Sequence, residues 1–170
     1  MKATALIFMV LLTAGTFTSL ANAEEGSMKL TSTAFSENAP IPAKYTCQGD
    51  DVNPPLEISG IPPAAKTLAL IVDDPDAPMK TWVHWVVFNI APTGEIKEAS
   101  VPGLQGSNDF HKNAWGGPCP PSGTHRYYFK LYALDSTLDL KEGATKEQLE
   151  GAMKGRTLTQ AQLMGVYQKK

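Results

Sequence analysis

Apolar residues along this chain come in short, dense runs separated by proline and glycine. Leu68 to Val72 (LALIV) is a continuous apolar run with the length of a strand buried on both faces. Trp82 to Ile90 (WVHWVVFNI) and Tyr127 to Leu134 (YYFKLYAL) are longer and rich in β-branched and aromatic side chains, which suit a packed, pleated surface. Met28 to Ser32, Leu56 to Ser59 and Gln160 to Tyr167 are shorter strand candidates. One helix is predicted, late in the chain. Thr145 followed by Gln148 has the spacing of a capping box, Leu149, Ala152 and Met153 form an apolar stripe, and Gly155 is a natural stop. Many strands and one late helix predict an all-β domain, an antiparallel β-sandwich, over any alternating α/β plan.

The first residues follow a different pattern. Lys2 precedes an apolar stretch from Ala3 to Phe17, and Ala21-Asn22-Ala23 is an A-x-A cleavage signature. Residues 1–23 therefore read as a signal peptide and 24–170 as a single exported domain, periplasmic or secreted. The apolar core is too short for the ~20 residues that a membrane span needs, and the chain is not expected to be an integral membrane protein. Without Lys2, 14 basic and 17 acidic residues leave a net charge of −3. The charges are interspersed, so nucleic acid is not an expected partner. An even cysteine count in an oxidising compartment predicts a disulfide, Cys47 to Cys119, provided the fold brings the two together.

Three segments carry candidate chemistry. VDDPDAP, Val72 to Pro78, crowds Asp73, Asp74 and Asp76 into a proline-stiffened turn at a strand end. A solvated acidic turn is the plain reading, and the segment lacks the ligand number and glycine of a calcium loop. His84 lies in the second long run, where strict alternation puts Trp82, His84, Val86 and Phe88 on one face and Val83, Trp85 and Val87 on the other. GGPCPPSGTHRYYF, Gly116 to Phe129, offers Cys119 and His125 as a nucleophile and base, or else a glycine loop whose N–H groups join His125 and Tyr127 in holding an anion. No zinc-type spacing is present, and neither metal nor cofactor is expected.

As a set, DPDAP (Asp74 to Pro78), Trp82-Val83-His84-Trp85, NDF (Asn108 to Phe110) and GPCPPSGTHRYYF (Gly117 to Phe129) resemble the phosphatidylethanolamine-binding protein family. The likeness is closest to its bacterial, Raf-kinase-inhibitor-like branch. YTCQGDDVNPPL, Tyr45 to Leu56, resembles that branch's early loop. The resemblance implies a β-sandwich with a small pocket at one end that binds phosphate-like anions or phospholipid headgroups. It carries Asp74, Trp82, His84, Gly117, Pro118, His125 and Tyr127 into that pocket, with Asp76 and Arg126 as a supporting ion pair. The histidines would donate to the anion, Asp74 would orient one of them, and Tyr127 and the Gly117 N–H would serve the remaining oxygens. Cys119 would be bonded to Cys47 behind the pocket wall. Lys80 and His111 replace glycines of the branch and would alter the pocket rim. The chain ends without the additional C-terminal helix of eukaryotic members, which predicts a more open mouth. No catalysis is expected on this reading. A protein target, such as an inhibited protease, is the alternative, and a Cys–His hydrolase is the third reading.

Overall fold

The computed structural model describes residues 27–170. The expected signal peptide falls among residues 1–26, outside the described part. Eight strands and one helix follow in order: β1 Lys29–Thr31, β2 Leu56–Ser59, β3 Thr67–Asp74, β4 Trp82–Ile90, β5 Glu95–Ile96, β6 Leu104–Gln105, β7 Thr124–Leu134, α1 Lys146–Met153 and β8 Thr157–Gln168. They form two antiparallel sheets, a small one ordered β1-β2-β5 and a large one ordered β6-β4-β3-β7-β8.

The apolar runs explain the layering. Every residue of β3 is buried, because the large sheet is covered on both faces. On the inner face Leu68, Leu70, Val72, Trp85, Val87 and Phe129 pack against Leu30, Leu56, Ile58 and Ile96 of the small sheet. On the outer face Ala69, Ile71, Val86 and Phe88 meet Leu138 and the helix residues Leu149 and Met153. Each large side chain so buried contributes about 2 kcal/mol. The helix starts at its capping box: Thr145 accepts from the Gln148 N–H, and Gln148 accepts from the Thr145 N–H. Gly155, at φ 73°, turns the chain out of it.

Strict alternation in β4 is broken. Asp73 pairs with Val83, and the next residue back, Val72, pairs with Trp85, so His84 is the extra residue of a β-bulge. Val83 consequently joins the outer core while Trp85 and Val87 join the inner one. The predicted grouping of Trp82, His84, Val86 and Phe88 on one face is corrected: Val86 and Phe88 face the helix, and Trp82 and His84 face a cavity at the strand's start. Bulges re-aim side chains in this way beside functional sites.

Candidate functional site

The first residues of β4 and β7 and the last of β3 meet at one end of the large sheet. Asp74 closes β3, and its pairing partner there is Trp82. Asp74 Oδ1 accepts from the Asp76 N–H at 2.8 Å, which folds the DPD turn back on itself. Asp76 in turn accepts from the Arg126 N–H at 3.0 Å, from Nε at 2.9 Å and from Nη2 at 2.6 Å. This bidentate grip holds the turn against β7 and pulls the Asp76 carboxyl down to about 2. Asp73 points to the opposite face, where Lys130 and Lys146 reach it at 2.8 and 2.6 Å. The three acidic residues of the turn therefore have separate duties.

Around Asp74 lies a cavity of about 200 Å³, lined by Ala77, Pro78, Trp82, His84, Phe110, Cys119, Pro120, Pro121, His125 and Tyr127 in addition to Asp74 itself. His125 Nδ1 donates to Asp74 Oδ2 at 2.7 Å, which fixes the orientation of the ring. His84 Nδ1 lies 2.6 Å from the Gly116 carbonyl. A carbonyl only accepts, so this ring too carries its hydrogen on Nδ1. Burial, against the pull of the Gly116 carbonyl and Asp74, lowers the His84 pKa and keeps the ring neutral. Tyr127 is fully buried, and its hydroxyl has no hydrogen-bond partner. Burial first, and Asp74 second, push its pKa well above the phenol range. Edge-to-face contacts of His84 with Tyr127 at 5.2 Å and with Phe110 at 5.4 Å fix the ring between them.

The loop from Asn108 to Gly117 frames this arrangement. Asp109 accepts from the Val83 N–H at 2.7 Å and donates its own N–H to the Val83 carbonyl at 3.0 Å, serving as a one-residue strand partner where β4 bulges. Asn108 Nδ2 donates to the carbonyls of His84 and Ala114, and its Oδ1 accepts from Phe110 and Lys112. Phe110 is thereby brought into the cavity wall. Among the described residues no group of three or more His, Cys, Asp or Glu side chains is placed to hold a metal, and no helix is long and apolar enough to cross a membrane.

The family model described as phosphatidylethanolamine-binding protein matches residues 31–168. The chain belongs to the phosphatidylethanolamine-binding protein family. Among similar family members, a UPF0098 protein of Methanothermobacter thermautotrophicus is 49% identical over 150 residues, covering 84% of this chain and 99% of its own. The solved structure of CT736 from Chlamydia trachomatis, described as a homologue in this family, is 46% identical with a TM-score of 0.82, covering 85% of this chain and 99% of its own. YbcL of E. coli, described as a new member of the mammalian family, is 27% identical with a TM-score of 0.79 over the same shares of the two chains.

Within this family fold, Asp74, Trp82, His84, His125 and Tyr127 converge on one cavity. Gly117 and Pro118 do not line it. The Gly117 N–H donates to Asp51 Oδ1 at 2.7 Å and is unavailable to an anion, and the Pro118 carbonyl accepts from the Cys47 N–H at 3.2 Å. Cys47 and Cys119 are joined, with Cα atoms 5.5 Å apart. The bridge is exposed and Cys119 is part of the wall, where the sequence reading put it behind the wall. Phe110, Ala77, Pro120 and Pro121 were not anticipated as lining residues, although all four lie within the motifs that carried the resemblance. Asp51 had no signal, because its partner is 66 residues away. Lys80 sits at the rim, bonded to Asp109 at 2.6 Å and 5.6 Å from the Trp82 ring centre, while His111 is exposed at φ 58° and does not line the cavity.

Proposed function

We propose that this family member is an exported binding protein whose cavity takes a small phosphate-type anion without converting it. The anion is free phosphate or the phosphorylated headgroup of a lipid. The observation that carries the reading is the unpartnered Tyr127 hydroxyl beside two imidazoles, each tied by Nδ1 to a fixed acceptor and so oriented with Nε2 left over. A buried hydroxyl without a partner is costly, and a ligand oxygen relieves that cost. At about 200 Å³ the cavity suits a phosphoryl group with a few attached atoms, and lies below the ~300 Å³ at which drug-sized sites begin. Acyl chains would remain outside.

The state of the candidate nucleophiles supports the reading without catalysis. Cys119 is bonded to Cys47 and has no thiol to ionise. His125 and Asp74 form a dyad suited to a base, but the hydroxyl beside them is Tyr127, whose ionisation is opposed by burial. Export is supported by the leader-like first 23 residues and by the exposed disulfide, a bond of oxidising compartments. Inorganic phosphate added to the full mature domain is expected to shift the His84 and His125 ring signals in a saturable NMR titration. Flat ring signals to millimolar phosphate would remove the proposal.

A further inference from the structure

We infer that a second copy of this chain docks edge to edge on the first half of β8. Gln160 and Gln162 of the two copies join the large sheets into one continuous sheet about a two-fold axis at Ala161. The cavity lies towards the other end of β7 and takes no part.

Sheet edges expose unpaired N–H and C=O groups, and folded chains usually shorten, charge or cover them. This fold does so at its other edges. β6 has two residues, and its Gln105 carbonyl accepts from the Gly143 N–H at 2.8 Å. β1 and β5, three and two residues long, carry Lys29 and Glu95. β8 is twelve residues long, and its second half is covered. There the Met164 N–H donates to Glu37 Oε2 at 2.9 Å, the Met164 carbonyl accepts from the Asn38 N–H, and Val166 exchanges bonds with Ala39 and Ile41. Backbone groups two residues apart along a strand point the same way, and the β7–β8 register is unbroken from Thr159 to Gln168. Gln160 and Gln162 therefore turn their N–H and C=O groups outward as Met164 and Val166 do. Among the described residues nothing meets them.

What fits this edge is the same edge. Thr157 to Gln162, TLTQAQ, has no charge and no proline, so two copies meet without repulsion. In antiparallel pairing about Ala161, Gln160 of each copy faces Gln162 of the other, and every outward N–H meets a carbonyl. The side-chain amides of both residues donate and accept, so they serve either role across the axis. Pairing stops where the Glu37 carboxylate occupies the Met164 N–H. The same register brings that carboxylate towards Arg156 of the second copy, just beyond the paired residues. Glu37 and Arg156 are both exposed, and neither has an ion-pair partner among the described residues. The Arg156 side chain holds its own chain only through Nη1, to Ser136 Oγ at 3.3 Å and to the Thr137 carbonyl at 3.4 Å. An ion pair on each side of the axis fixes the register, and an isologous contact of this kind closes at two copies.

The test is sedimentation velocity of the purified protein from micromolar to millimolar concentration, with backbone amide exchange measured at both ends of that range. A reversible monomer–dimer equilibrium is expected, with exchange at Gln160 and Gln162 slowed in the dimer and unprotected in the monomer. Gln162→Pro deletes one outward N–H and leaves the β7 ladder intact, since an edge strand tolerates proline there. It is expected to weaken association at least about tenfold. Arg156→Glu and Glu37→Lys should each weaken it too, and the two together should restore it. If Gln162→Pro folds poorly, the wild-type exchange still decides. A protein that stays monomeric at millimolar concentration would overturn the inference, as would a dimer in which the Gln160 and Gln162 amides exchange freely. Protection of those amides that does not change with concentration would overturn it as well, by placing another segment on this edge.

Discussion

Single atoms decide what the cavity is for, and Tyr127 is the clearest of them. Its ring belongs to the inner core while its hydroxyl has no partner. Leaving such a group unsatisfied costs about 1–3 kcal/mol, so the folded state carries a penalty that packing alone does not require. Tyr127→Phe keeps the ring and removes the oxygen. It is expected to leave stability unchanged or to raise it by up to about 1 kcal/mol, read as a urea midpoint shift at constant slope. Phosphate affinity should fall by about tenfold or more, the weight of a hydrogen bond to a charged group. A variant that loses stability and binding together would mark Tyr127 as a packing residue only. The neighbouring His84 shows how far a residue's role depends on its second nitrogen. Its burial argues for a satisfied core histidine, and at Nδ1 that is what it is.

At the scale of elements, much of the fold was legible because long strands advertise themselves. The run Trp82 to Ile90 coincides with β4, and Leu56 to Ser59 with β2, while β3, β7 and β8 extend their predicted segments by a few residues at each start or end. At Thr124-His125-Arg126, the beginning of β7, exposed and pocket-facing residues interrupt the apolar signal. The two-residue strands β5 and β6 carry no periodicity to read. Nor does alternation reveal a bulge, because the extra residue at His84 is defined only by what β3 offers opposite. Most of the pocket was visible as motifs, and the glycine loop was misassigned for a comparable reason. Gly117 was read as an anion-binding N–H, but its partner comes from the loop around Asp51. A Cβ at Gly117 would overlap the Asp51 carboxylate and stand 2.5 Å from the Tyr45 carbonyl oxygen and 2.8 Å from the Thr46 Cα. Gly117→Ala is thus expected to cost about 1–3 kcal/mol. The shift should reach Cys119 and Pro120 in the cavity wall and weaken phosphate binding. Denaturant midpoints with parallel phosphate titrations check both parts.

Across the whole molecule, two loops far apart in sequence close one wall, and the bridge between them couples stability to the cavity. Cys47 and Cys119 are separated by 72 residues, a span that includes β2 to β6. In the chain-entropy account a loop of that length stabilises the fold by roughly 4 kcal/mol, or about 10 °C in melting temperature for a domain of this size. The two sheets and α1 pack without help from the sulfurs, so a Cys47→Ser/Cys119→Ser protein should still fold cooperatively, with the melting point lowered by about that amount. Its wall is a different matter. The Cys47 N–H to Pro118 carbonyl bond and the Gly117 N–H to Asp51 bond persist, but Cys119, Pro120 and Pro121 lose their covalent anchor. Phosphate affinity in the double variant should therefore fall, whereas a substitution that lowers stability equally in the outer core, Leu149→Ala, should leave it unchanged at a temperature where both are folded. Calorimetry for the melting points and titration for affinity separate the two effects. Equal affinity in both variants would show that the bridge stabilises the fold without shaping the site. A selective loss would make closure of the cavity depend on oxidation of this cysteine pair.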